Sequence, residues 1–175
     1  MGYSEPTIPT RLVVCVDGTQ QSNSGTQGSQ TNIHRIYASV KRNECIDPAS
    51  GTSFRQAVKY FPGIGAAENV ISTDRIQAGV LGQGYLKQIQ DVYEHCCQLK
   101  GEDDEVWLFG SSRGAFVVRA VAGLLHNFGA VASAGQPEFA RDFKKVLKDA
   151  EKLSGSSSLA LSPVSSDPPS VYVFN

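Results

Sequence analysis

Gly110-Ser111-Ser112-Arg113-Gly114 sets a serine between two glycines at the spacing G-x-S-x-G. The apolar run before it, Glu105 to Phe109, is predicted as a strand, and the run after it, Ala115 to Leu125, as a helix. Serine in that context is the pattern of a nucleophile elbow. A hydroxyl can attack an ester when it stands clear of the sheet on a tight strand-to-helix turn. Gly110 and Gly114 carry no Cβ, so strand and helix can pass closely on either side of Ser112. The first N–H groups of the new helix point back at the turn and favour a developing oxyanion. The expected chemistry is serine ester hydrolysis. The competing reading is a glycine-rich turn with a solvated serine.

A second loop must complete such a site. Asp17-Gly18-Thr19 closes the run Arg11 to Asp17 (RLVVCVD), a continuous apolar stretch of the kind found in strands buried on both faces. In this chemistry one oxyanion donor is the backbone N–H after the nucleophile, here Arg113. The other comes from the loop after an early strand, here Gly18 or Thr19. Asp17 is expected to shape that loop by accepting backbone hydrogen bonds, or to be an ordinary turn aspartate. D-x-D-G-T after a strand also marks phosphatases whose first aspartate is the nucleophile. Cys15 holds that position here, which removes the aspartyl-phosphate and leaves a poor magnesium site. Gly63, Gly65, Gly79, Gly82 and Gly84 could suggest a phosphate cradle, but no strand directly precedes the second cluster, so a dinucleotide reading does not hold, and turns and a helix cap are expected instead. Arg75 and Lys87 could steer an anionic substrate or simply be solvated.

The elements that hold these residues follow from periodicity. A helix is predicted over Asn32 to Arg42, capped by Gln30 or Thr31, with Ile33, Ile36, Tyr37 and Val40 on one face. Gln56 to Phe61 reads as a strand stopped by Pro62-Gly63. Gly84 to Leu99 reads as a helix burying Leu86, Ile89, Tyr93, Cys96 and Cys97. The charged run Gly101 to Glu105 reads as a solvated turn. Pro137 is placed at the first position of another helix, which buries Phe139, Phe143, Val146, Leu147 and Ala150. Ser154 to Pro169 is Ser- and Pro-rich and reads as a linker or loop. A last strand spans Val171 to Phe174. Strands alternating with helices predict an α/β fold: a three-layer sandwich with a mostly parallel sheet and helices on both faces. In such sheets ligands bind beyond the carboxyl ends of the strands. Gly18 to Gln30, Pro62 to Gln83 and the Ser112 turn all fall at that rim.

The 175 residues suit one domain, and a hydrophobic fraction of 41% makes it globular. Lys+Arg of 16 against Asp+Glu of 17 implies no basic patch, arguing against nucleic acid or an anionic membrane surface as electrostatic partner. No apolar run is long enough to span a bilayer. Met1 to Arg11 shows no secretory pattern, and Pro6 stands where myristoylation wants Ser or Thr. A cytoplasmic location is expected. Cys15, Cys45, Cys96 and Cys97 form no C-x-x-C pair, and neighbours on a helix project about 100° apart, a poor geometry for a disulfide. They read as reduced, buried thiols, with no metal and no cofactor expected.

Several segments together resemble one family. They are Leu12 to Thr19, Thr31-Asn32-Ile33, Tyr60-Phe61-Pro62-Gly63-Ile64-Gly65, Gly82-x-Gly84 and Phe109 to Arg119. In that order they look like the catalytic domain of type VI secretion phospholipase effectors and their fungal and bacterial relatives, over Arg11 to about Val131. The resemblance implies an α/β-hydrolase fold and a serine lipase or esterase, acting on an ester or phospholipid. Ser112 falls on the family nucleophile. The family's usual residue before it is Phe, where this chain has Ser111.

A serine nucleophile needs a base, and the base an orienting acid. After Ser112 the one histidine is His126, at the far end of the helix and roughly 20 Å away at 1.5 Å per residue. His34 and His95 precede the serine on helices and read as surface or packing residues. Asp142 and Asp149 belong to the third helix, and Asp167 precedes the last strand. The resemblance puts the acid just past a strand like Ser170 to Phe174, and the chain ends at Asn175. The expectation is therefore a truncated hydrolase front half, weak or inactive alone. The alternatives are a non-catalytic module binding lipid or protein, or a half-domain completed by another chain. Val171 to Phe174 would then be an exposed edge open to self-association.

Overall fold

The computed structural model describes residues 8–18, 30–64, 80–154 and 170–174. Thr19, Gly65, Arg75, Gly79, Asp167 and nearly all of the Ser/Pro-rich stretch, residues 155–169, lie outside these ranges.

In chain order the elements are β1 (Thr10–Val16), α1 (Asn32–Ser39), β2 (Asn43–Ile46), β3 (Ser53–Phe61), α2 (Val80–Cys96), β4 (Glu105–Gly110), α3 (Arg113–Phe128), α4 (Phe139–Ser154) and β5 (Ser170–Phe174). They build one sheet of order β2-β3-β1-β4-β5. β1 runs parallel to β3 and β4, and β4 parallel to β5, while β2 is antiparallel to β3. The result is a mixed-sheet α/β fold. The central place falls to β1, the most continuously apolar run, where Val14, Cys15 and Val16 are wholly buried. Register matters for the site: Val16 pairs with Phe61 on one side and Gly110 on the other, so three strands end level at one rim.

Period-two alternation divides the strands between two cores. Leu12, Val14 and Val16 of β1, with Val106 and Leu108 of β4, pack against α2, α3 and α4. Val13 and Cys15 face the other way, under Ile33, Ile36, Tyr37 and Val40 of α1. Helices on both faces make three layers, as alternation predicts. All four cysteines are buried and unpaired.

Several expectations are corrected. α1 ends at Ser39 rather than Arg42, because Val40 is already extended at φ −67° and ψ 121°. β2 is an unpredicted strand, with only Cys45 buried, too short and polar to show a pattern. Leu86 is 49% exposed and not on the buried face of α2. That end of α2 runs alongside Pro62 and Ile64, past the end of β3: Gln88 donates to Pro62 O at 2.8 Å, and a Cβ on Gly84 would meet Ile64 at 3.1 Å. Gly82 and Gly84 thus lie within α2, not in a turn or cap. Pro137 sits in a run of turns before α4 rather than opening it. Gly101 to Glu105 is more than a solvated turn. Asp104 is buried and accepts the backbone N–H groups of Thr10, Lys100 and Gly101 at 2.7, 3.2 and 2.8 Å.

Candidate active site

Ser112 lies between the end of β4 and the start of α3 with φ 52° and ψ −120°. A non-glycine residue there holds about 1–3 kcal/mol of strain and persists only when its surroundings impose it. The bonds on each side do so. Ser111 N–H donates to Val16 O at 3.3 Å, tying the turn to β1. Gly114 N–H donates to Ser111 O at 2.8 Å and Ala115 N–H to Ser112 O at 3.1 Å, starting the helix at once. The flanking glycines are sterically required. A Cβ on Gly110 would come within 2.7 Å of Gly114 O and of Val118 Cγ2. One on Gly114 would run into Val16 O and lie 2.7 Å from Asp17 O. The turn leaves Ser112 exposed, and its hydroxyl has no hydrogen-bond partner among the described residues.

That contact sets the first turn of α3 directly against the end of β1. Asp17 N–H is engaged, donating to Phe61 O at 3.0 Å. The N–H groups of Gly18 and Arg113 meet no acceptor among the described residues. Gly18 is buried beside the turn, and Arg113 opens the helix. Thr19, the alternative donor, lies outside the described residues.

Asp17 corrects a further expectation. Its carboxylate is 1% exposed and takes side-chain rather than backbone donors: Thr31 Oγ1 at 2.5 Å and Tyr60 OH at 2.7 Å, both to Oδ2. Oδ1 has no partner among the described residues. Thr31 is also the N-cap of α1, accepting His34 N–H at 3.0 Å. One carboxylate therefore joins the ends of β1 and β3 to the start of α1. Burial, and then the bond to Asp17, raise the Tyr60 phenol above its ordinary value, which keeps it a donor. Burial, with Asp17 nearby, pushes the Cys15 thiol up to about 12. Cys15 also faces α1 in the interior, so a nucleophilic role in the phosphatase manner has no access to solvent. Tyr60 was the missing member of this group. It is 43 positions from Asp17, and no local spacing connects them.

The three histidines stand elsewhere. His34 is a packing residue on the buried side of α1, edge-on to Tyr60 at 5.4 Å, with Nδ1 unpartnered among the described residues. His95 closes α2 against Phe61 at 6.1 Å. Burial, then Lys59, lower its pKa and favour the neutral ring. His126 occupies the last turn of α3, at the end away from Ser112. Lys87 is tied to Asp91 rather than free for steering. Two cavities, of about 210 and 490 Å³, open around Thr10, Asp103 and the start of β1, at the rim opposite Ser112. Arg11, which lines the smaller one, is paired with Glu105 at 2.6 Å, Lys100 lines the larger one among carboxylates, and ligands of parallel sheets bind at the other rim. Among the described residues no His, Cys, Asp and Glu cluster could hold a metal. None of the described helices is long and apolar enough to cross a membrane.

An α/β sheet that ends three strands level under a strained, exposed serine defines a class of domain. The chain belongs to the family of Tle1-like phospholipase effector catalytic domains of type VI secretion, which it matches over residues 10–162. It is also similar to an uncharacterized protein of Saccharomyces cerevisiae, with 29% identity over 133 residues. That match takes in 67% of this chain and 17% of the yeast protein, so the chain spans only a small part of its curated relative. No solved structure matches the chain.

Proposed function

We propose that this domain is a serine ester hydrolase of the lipase or phospholipase type, built as an α/β-hydrolase, with Ser112 as nucleophile. The observation that supports the reading best is the Ser112 backbone, held at φ 52° and ψ −120° between β4 and α3. Nothing in packing alone calls for a strained, exposed serine there, whereas a nucleophile needs one. The N–H groups of Arg113 and Gly18 are the oxyanion donors. Asp17 positions Gly18 through its bonds to Thr31 and Tyr60. Membership of a phospholipase-effector family supports a lipid ester as substrate.

In this reading Ser112 Oγ attacks the acyl carbon, its proton passes to a base, and the carbonyl oxygen gathers charge against the two N–H groups. None of the three histidines bonds to Ser112, so turnover by these 175 residues is expected to be slow. Stoichiometric capture is the sharper test. A fluorophosphonate probe should label the folded chain once, at Ser112, and Ser112→Ala should abolish it. Labelling elsewhere, or none at prolonged exposure, would leave the serine a turn residue and favour the non-catalytic binding reading.

A further inference from the structure

α4 carries five cations, Arg141, Lys144, Lys145, Lys148 and Lys152, at successive offsets of 3, 1, 3 and 4. At 100° per residue these fall within about 100° of arc, a single stripe some 16 Å long. All five side chains are exposed. The opposite side of the helix is pinned to the protein: Phe139 and Phe143 are buried against Tyr93 of α2 at 6.3 and 5.9 Å, and Val146, Leu147 and Ala150 pack beside them. The stripe therefore faces outward and stays there. Its acids sit to the sides, with Arg141 bridging to Asp142 and Lys152 to Asp149. With Glu151 the helix still carries a net charge of +2, within a chain of net charge −1. The near balance of the composition hides this separation, and the expectation that there is no basic patch is corrected by it.

We infer that the outer stripe of α4 docks the domain onto an anionic lipid bilayer surface. The occupant follows from charge complementarity and from the lipid-ester reading of Ser112, on which this inference rests. Cations on a rigid helix face meet lipid phosphates without any loss of apolar packing, because the apolar face is already spent on the core. Each cation near an anionic surface strengthens binding about five-fold, and salt within a Debye length screens it. The contact is thus reversible and strongly salt-dependent, and it inserts no apolar side chain.

Vesicle co-sedimentation tests this directly. The chain should sediment with vesicles of phosphatidylcholine mixed with phosphatidylglycerol, and not with phosphatidylcholine alone. Raising salt should release it. Lys144→Gln/Lys145→Gln/Lys148→Gln should weaken binding of the order of a hundred-fold, given about five-fold per cation. Arg35→Gln/Lys41→Gln, exposed cations on and just after α1 on the other layer, should change it little. Equal binding to neutral vesicles, no binding to either, or an equal loss in the α1 variant would overturn the inference. Its failure is separable from that of the enzyme reading. Ser112→Ala should bind vesicles normally, and the triple lysine variant should label with fluorophosphonate at the native rate.

Discussion

The turn at Ser112 concentrates two opposing demands on neighbouring residues. Ser112 bears a positive φ that glycine would adopt freely, while Gly114 occupies a space in which any Cβ meets the backbone of β1. Substitutions in opposite directions separate strain from packing. Ser112→Gly should raise stability by about 1 kcal/mol by releasing strain, while destroying any labelling. Gly114→Ala should lower it by about 3 kcal/mol, since the atoms it meets are main chain and cannot rotate away. In a chain of this size that is a fall in melting temperature of roughly 10 °C. Denaturant melts of the three proteins decide the matter. A neutral Gly114→Ala would mean that α3 can lift off β1, and the close approach would lose its structural meaning. A Ser112→Gly protein more stable than the wild type, at the cost of the hydroxyl, is what a functional site leads one to expect.

At the scale of elements, α1 is attached to the site through one side chain. Thr31 caps the helix and donates to the buried Asp17, so its hydroxyl serves two bonds at once. Thr31→Ala removes both and should cost about 2–4 kcal/mol, combining a lost cap with a lost bond to a buried carboxylate. Thr31→Ser keeps the hydroxyl and should recover most of that. If both variants melt alike, the methyl rather than the hydroxyl matters, and the link between α1 and the Gly18 loop dissolves. Some of these features are local in the sequence and others arise only from pairing. The Thr31 cap, the apolar β1, the strand-to-helix turn at Ser112 and the buried face of α4 are local patterns, and each is where its own stretch of residues puts it. Tyr60 meets Asp17 only because β1 and β3 lie side by side in register, a fact of pairing rather than of spacing. β2 has one buried residue and no alternation to detect. Leu86 keeps the helical period of its neighbours, but its end of α2 outruns the strand it would cover. The basic stripe on α4 is likewise a local pattern, lost when charge is summed along the whole chain.

For the whole molecule, the two sheet faces are unequally covered. α2, α3 and α4 lie on one face, and on the other α1 packs over β1 and β3. Beyond α1, the rings of Trp107 and Phe109 on β4 and Tyr172 and Phe174 on β5 form a continuous aromatic layer. Trp107 and Tyr172 are 4.7 Å apart, and Phe109 and Phe174 are stacked at 4.7 Å and 9°. Tyr172 and Phe174 remain 41% and 42% exposed, on the strand that ends the sheet. Among the described residues no strand pairs with the outer side of β5; an apolar edge strand is a template for another strand, and Ser170 to Phe174 contains no charge or proline to repel one. A second copy offers the same edge, so two β5 strands can pair about a two-fold axis and bring their aromatic layers together. The 175-residue chain is therefore expected to self-associate as concentration rises, through β5. Sedimentation velocity over a concentration series should show a rising mean mass, and Tyr172→Lys, which places a charge on that edge and removes one exposed ring, should hold the protein monomeric. High salt should leave this association intact while it releases the chain from anionic vesicles, because one contact is apolar and the other ionic. A wild-type mass that stays monomeric throughout, or an association that Tyr172→Lys does not touch, would remove β5 as the contact.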